Sequence, residues 1–178
     1  DGYVRMVNRK HFDRVMGLID PAKVVFGGRG DPETLKIQPT VLDNVSPEDP
    51  VMQEEIFGPV LPVLTFDQIG EALDFVNARP QPLALYLFSQ EKSTQERFLR
   101  RTSFGGGCIN DTVIHLATSR MGFGGVGASG MGSYHGRDSF ETFSHRKSVV
   151  KKSTLLDLPV RYAPYGPGKD RLLRLFLR

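Results

Sequence analysis

Few stretches of this chain carry side chains of a type and spacing that does chemistry. The first is Pro50-Val51-Met52-Gln53-Glu54-Glu55-Ile56-Phe57-Gly58-Pro59-Val60-Leu61-Pro62. Two neighbouring carboxylates run straight into an apolar segment stiffened by Gly58-Pro59. A carboxylate entering an interior must find hydrogen-bond donors, or it takes up a proton. Glu54 reads as a solvated acid at a loop-to-strand junction. Glu55 has two readings, a second solvated acid or a carboxylate aimed at a ligand that carries hydroxyls. Sequence neighbours diverge in a strand, so the two acids are not read as a general acid/base pair.

The remaining reactive residues form no complete constellation. Gly125-Val126-Gly127-Ala128-Ser129-Gly130 is formally a dinucleotide fingerprint, but that motif needs a preceding strand, a following helix and a downstream acid. Six glycines in the fourteen residues from Phe123 to Gly136 describe a tight structural loop instead. Cys108, in Gly107-Cys108-Ile109, reads as a buried structural thiol, since no neighbouring cation or helix start is indicated to lower its pKa. His11, His115, His135 and His145 make no metal-ligand spacing with each other or with Cys108, so no metal site is expected. His11 reads as lying on an exposed helix face. His115 reads as a hydrogen-bonded core histidine, and His135 as a capping or supporting residue at a loop-to-helix junction. No Ser/His/Asp order with a nucleophile elbow is present.

These residues are set on alternating helix and strand signals. Residues 8–20 show a helix, with Phe12, Val15, Met16 and Ile19 at helical spacing, Asn8 as N-cap and Pro21 as stop. Short strands follow over 23–26 and 37–42, with Pro39 confining the second to an edge or bulge. An apolar strand over 60–66 is interrupted by Pro62. Residues 67–77 and 93–101 read as helices. Residues 83–88 form an almost unbroken apolar run, as in a strand covered on both faces. A glycine-rich strand entry lies near Cys108, and a helix is expected over 133–145 with Phe140 and Phe143 on one side. Residues 148–153 are β-prone with lysines, as edge strands often are. Residues 169–178 suggest a short amphipathic helix. The alternation predicts an α/β fold, an open and mostly parallel sheet flanked by helices.

The 178 residues are enough for one core. One cysteine gives no intrachain disulfide framework, consistent with a reducing, cytoplasmic setting. No apolar run approaches a membrane span, and Asp1-Gly2-Tyr3-Val4-Arg5 is no leader and opens without Met, as expected of a segment internal to a longer product. The formal charge of +3 divides unevenly, with +7 from His145 onward and −4 before it. The basic excess belongs to the tail, so a nucleic-acid-binding face is not expected.

Four stretches, in this order, resemble the aldehyde dehydrogenase superfamily, in its class 3 and fatty aldehyde dehydrogenase branch. They are the Glu54-Glu55 segment; Pro82-Leu83-Ala84-Leu85-Tyr86-Leu87-Phe88-Ser89; Ile109-Asn110-Asp111-Thr112-Val113-Ile114-His115; and Phe123 through His145, with Ser133-Tyr134-His135-Gly136 and Ser139-Phe140-Glu141-Thr142-Phe143-Ser144-His145. The resemblance runs to about Tyr165. It implies the C-terminal part of a catalytic domain over residues 1–165, with a late bridging strand near 148–153, and a basic amphipathic tail over 166–178. The family oxidises aliphatic or aromatic aldehydes to carboxylic acids with NAD or NADP through a cysteine thioester.

Carried over by resemblance, Glu55 matches the glutamate that binds the nicotinamide ribose, and Phe57 the phenylalanine beside the nicotinamide. Val113, Leu116, Ala117, Phe123 and His135 fall where class 3 members line the aldehyde pocket. Tyr134 and His135 match residues that position a helix over the substrate entrance. The family's nucleophile lies upstream of this chain and Cys108 does not match it, so no catalytic residue is expected here and the 178 residues alone are expected to be inactive. Gly122 stands where the family usually has proline, which is expected to loosen that turn. The resemblance further implies a homodimer. The tail adds an expectation of weak membrane-surface contact, hence membrane association as an alternative to a purely cytoplasmic protein. The rival readings are a non-catalytic association module and a degenerate fragment that retains the fold.

Overall fold

The computed structural model describes residues 3–177, which contain five α-helices and seven short strands in three small sheets. Asp1 and Gly2, at the start of the expected catalytic segment, and Arg178, at the end of the expected tail helix, lie outside the described residues.

The first lobe is built on α1, Arg9–Gly17. The Asn8 side chain accepts the His11 N–H at 3.0 Å and so caps the helix start. The apolar stripe of α1 faces inward, with Val15 fully buried and Phe12 nearly so. After a 3-10 turn at Pro21–Lys23 come β1 (Val24–Phe26), β2 (Gly30–Asp31), β3 (Lys36–Ile37), β4 (Thr40–Leu42) and β5 (Val60–Pro62). β4 is central, antiparallel to β1 and parallel to β5, while β2 and β3 form a separate antiparallel pair. The single strand expected over 37–42 is therefore two. Pro39 has no N–H for a ladder, so pairing stops there and restarts at Thr40, whose N–H donates to the Pro59 carbonyl at 2.8 Å. Phe12, Val15, Leu18, Ile19, Ile37, Leu42, Val45, Val51 and Val60 make one continuous core.

The second lobe holds α2 (Ile69–Asn77), β6 (Ala84–Leu87), α3 (Lys92–Arg101) and β7 (Gly106–Ile109). β6 and β7 run parallel in direct register, Tyr86 opposite Cys108, as a crossover through α3 requires. Leu73 of α2 and Phe98 of α3 are its buried apolar anchors. The expected two-sided burial of residues 83–88 is not observed. Leu83, Tyr86 and Phe88 are exposed, because this two-stranded sheet has no further layer among the described residues to cover its second face. The fold is α/β with parallel strand pairs and flanking helices, but the sheets are mixed, with two parallel and two antiparallel pairings among the described residues.

The helix expected over 133–145 is confined to α4, Gly136–Thr142. Gly132 and His135 have positive φ, so the backbone cannot be helical before Gly136, the first residue of α4. Phe140 and Phe143 are largely exposed rather than packed. Residues 148–153 are exposed and pair with no strand of this chain among the described residues. The tail forms α5, Pro167–Phe176. None of the described helices is long and apolar enough to cross a membrane.

Two contacts fix the approach to the Glu54-Glu55 segment. Asp49 takes the Lys23 ammonium and, at 2.8 Å, the Ser46 N–H. The Pro47 carbonyl accepts from Gln53 Nε2 at 2.6 Å and from Arg79 Nη2 at 3.5 Å, the Arg79 guanidinium lying 3.8 Å from the centre of the Phe75 ring. The Lys23 hydrogen bond, followed by the Ser46 N–H, holds the Asp49 carboxyl below the ordinary carboxylate range. A depressed folded-state value adds stability above the unfolded-state pKa, which is lost as pH falls through the folded value.

Equilibrium urea unfolding against pH is therefore expected to show Asp49→Asn less stable than the parent above about pH 4, with the difference closing at lower pH. Leu42→Ala, at a fully buried position of the first core, is expected to lower unfolding stability by roughly 2–5 kcal/mol in the same assay.

Candidate functional site

Glu55 and Phe57 line one groove of about 620 Å³, together with residues 3–7, His11 and Arg14. They sit on the irregular segment between a 3-10 turn, Pro50–Met52, and β5. Pro50 starts the turn and Pro59 leads into the strand, so neither regular element extends through the acids. The two carboxylates part as expected. Glu54 turns to α1, where its Oε2 lies 3.2 Å from Arg14 Nη1. Glu55 is exposed on the groove, and among the described residues its carboxylate has no hydrogen-bond or ion-pair partner. Phe57 is 81% exposed at φ +44°, a left-handed conformation that an L-residue adopts only under constraint. A free carboxylate accepts hydrogen bonds from hydroxyls, and a bare aromatic face packs against planar or apolar groups.

A second cluster is aromatic. Phe123 and Tyr134 form an isolated antiparallel bridge, N–H to carbonyl at 2.8 and 3.0 Å. Around the Phe123 ring lie His115 at 6.1 Å, Tyr134 at 5.7 Å and His135 at 6.2 Å, the last stacked. Tyr134 meets His135 edge-on at 4.4 Å. His135 is held at φ +88° with its N–H donating to Ser139 Oγ at 2.8 Å, at the start of α4. Val113 has φ +63°, a conformation that a β-branched residue strongly disfavours, and opens the turn Ile114–Leu116. His115 Nε2 and His135 Nδ1 are both buried without a hydrogen-bond partner among the described residues. Such orphaned polar atoms mark a place where a ligand or water completes the bonding.

Of the residues expected to line an aldehyde pocket, Phe123, Tyr134 and His135 share this cluster. Val113 and Ala117 are exposed and Leu116 half-buried, on the turn that carries His115. Sequence reasoning missed Arg14 and also Tyr86, whose ring meets that of His115 edge-on at 5.7 Å. It placed His11 on an exposed face, whereas His11 is half-buried and lines the groove. His115 is a core histidine as expected, yet among the described residues its one side-chain hydrogen-bond contact is Cys108 Sγ, 3.6 Å from Nδ1. Cys108 itself is half-buried rather than buried, since β7 is covered on one side only. No group of three potential metal ligands lies together among the described residues.

The glycine loop is a tight turn, with Ser129 Oγ hydrogen bonded at 3.0 Å both to the N–H and to the carbonyl of Val126. Gly122 lies close against the side chains of Ser133 and Asp138. A Cβ there would lie 1.8 Å from Asp138 Oδ2 and 2.2 Å from Ser133 Oγ, so these side chains fill the space that a side chain at 122 would need.

The aldehyde dehydrogenase family model matches residues 5–149. The chain is 49% identical over 178 residues to 4,4'-diaponeurosporen-aldehyde dehydrogenase of Staphylococcus aureus, covering 99% of this chain and 39% of that protein. It is 50% identical over 167 residues to a dimeric NADP-preferring aldehyde dehydrogenase of Bos taurus, covering 93% of this chain and 70% of that sequence. A solved structure described as the substrate-bound state of Staphylococcus aureus AldH superposes with a TM-score of 0.88 at 48% identity, covering 99% of this chain and 39% of that one. The chain thus spans about two-fifths of the Staphylococcus aureus relative. On this match and this fold, the chain belongs to the aldehyde dehydrogenase family.

Proposed function

We propose that the whole protein carrying this chain oxidises aliphatic or aromatic aldehydes to carboxylic acids with NAD or NADP, and that this chain supplies the corner that holds the nicotinamide ribose. The observation that carries this reading is the unpartnered Glu55 carboxylate beside the exposed Phe57 ring on one groove. A ribose offers two adjacent hydroxyl donors, and one carboxylate accepts both. The Phe57 ring gives the nicotinamide an apolar neighbour and keeps water from its face. The bound nicotinamide supplies a hydride acceptor; the chain's own contribution is to orient it.

The aromatic cluster of Phe123, Tyr134 and His135, with Val113, Leu116 and Ala117 on the adjoining turn, lines the aldehyde side in this proposal. Its mixture of apolar rings and unsatisfied imidazole nitrogens suits an aldehyde with an apolar body and one polar end. Cys108, in the β7 ladder against His115, has no role as nucleophile in this reading.

The unpaired segment 148–153, with Val149 and Val150 exposed, supports association through strand addition to a second copy, in keeping with the dimeric relative. It also favours the second reading, an association module. The α5 helix exposes Leu172, Leu175 and Phe176 beside Arg171 and Arg174, which supports weak contact of a cytoplasmic protein with an anionic membrane surface.

In the complete gene product, Glu55→Gln is expected to weaken NAD(P)H binding about tenfold, read by nicotinamide fluorescence titration; unchanged affinity contradicts the ribose assignment. The 178 residues alone are expected to give no aldehyde-dependent NAD(P)H formation, and sustained turnover by them overturns the proposed division of the site. Removing residues 167–178 is expected to reduce co-sedimentation with phosphatidylserine vesicles; equal sedimentation with and without them rejects the membrane contact.

A further inference from the structure

We infer that Arg14 is a positioning residue for the cofactor corner, acting through the backbone that carries Glu55 and Phe57. The inference rests on the reading of Glu55 as the ribose acceptor and adds to it the group that aims that carboxylate.

The segment between Gln53 and Pro59 belongs to no helix or strand, so its own hydrogen bonds do not fix it. Arg14, in the last turn of α1, does so from outside. Its Nη2 donates to the Ile56 carbonyl at 2.7 Å, its Nη1 to the Glu55 carbonyl at 3.2 Å, and Nη1 also lies 3.2 Å from Glu54 Oε2. One planar cation thereby holds three consecutive residues, and the Glu54 carboxylate is drawn away from the groove while that of Glu55 is left free. Two carbonyls turned toward α1 set the peptide planes on either side of Ile56, and Phe57 follows at positive φ.

A second contact locks the far end. A Cβ at Gly58 would lie 2.9 Å from Val15 Cγ1, so the chain passes tight against α1 one residue beyond Arg14. Val15 is fully buried and Phe12 nearly so, which makes α1 a rigid base for the fork. A guanidinium meets this geometry because its nitrogens diverge in one plane. A lysine ammonium at the same place is a single point donor and cannot span the carbonyls of 55 and 56 together with the acid of 54.

The test is a double-mutant cycle in the complete gene product. NAD(P)H affinity, the KM for aldehyde and thermal unfolding are measured for the parent, Arg14→Lys, Glu55→Gln and the double variant. Arg14→Lys is expected to weaken NAD(P)H binding about fivefold to tenfold while the aldehyde KM and the melting temperature stay near the parent's. In the Glu55→Gln background the same substitution is expected to change affinity by less than about twofold, because the group it aims is already lost.

Parental affinity in Arg14→Lys, or full additivity in the double variant, overturns the inference. If Glu55→Gln alone leaves affinity unchanged, the ribose reading itself falls, and the inference with it. If Glu55→Gln weakens binding and Arg14→Lys does not, only the role of Arg14 falls. Arg14→Gln, which keeps one uncharged NH2 donor, supplies the same cycle if the lysine variant does not fold. It is expected to retain more affinity than Arg14→Ala, and equal loss in the two overturns the inference as well.

Discussion

The first lobe depends on how α1 seats itself in the core and what it then holds on its other face. Phe12, Val15, Leu18 and Ile19 bury the apolar stripe against β3, β4 and β5, and that burial is the dominant favourable term available to so short a helix. With the stripe fixed, Arg14 is carried to the segment 54–56 and Val15 to Gly58. The proposed cofactor corner is thus supported by a rigid element, α1, whose His11 and Arg14 also line the groove. A loop so held has its carboxylate already oriented, which in the proposed cofactor role spares ordering entropy on binding.

Strain marks the same places. Phe57, Val113 and His135 all have positive φ, and all three belong to the proposed cofactor or aldehyde surfaces. Such conformations persist only where surrounding contacts over-determine them. For Phe57 these contacts are the Arg14 fork and the Gly58 approach. For His135 they are the Phe123–Tyr134 bridge and Ser139 Oγ. The unpartnered nitrogens of His115 and His135 lie around the same Phe123 ring, so the polar need and the backbone strain coincide in space.

Much of this was legible in the sequence, and what was not has identifiable causes. The α1 stripe and the Asn8 cap follow from spacing and side-chain chemistry, and the divergence of Glu54 and Glu55 follows from their being sequence neighbours. Arg14 was not legible. It is one charged residue on a polar helix face, and its partners lie 41 and 42 positions downstream. Pro39 was read as an edge or bulge signal, but local pattern does not say that the chain changes partners across it. The length of α4 was overestimated because apolar spacing carries no information about the positive φ of His135. A valine at φ +63° runs against its own preference, so Val113 had to be seen in its turn.

The central claim is that the free Glu55 carboxylate binds the nicotinamide ribose. Its most direct test is the affinity of the complete gene product for NAD(P)H and for an analogue lacking the hydroxyls of the nicotinamide ribose. The account predicts that the parent binds the analogue about tenfold more weakly, and that Glu55→Gln binds the two alike. Equal affinity of the parent for both would contradict it.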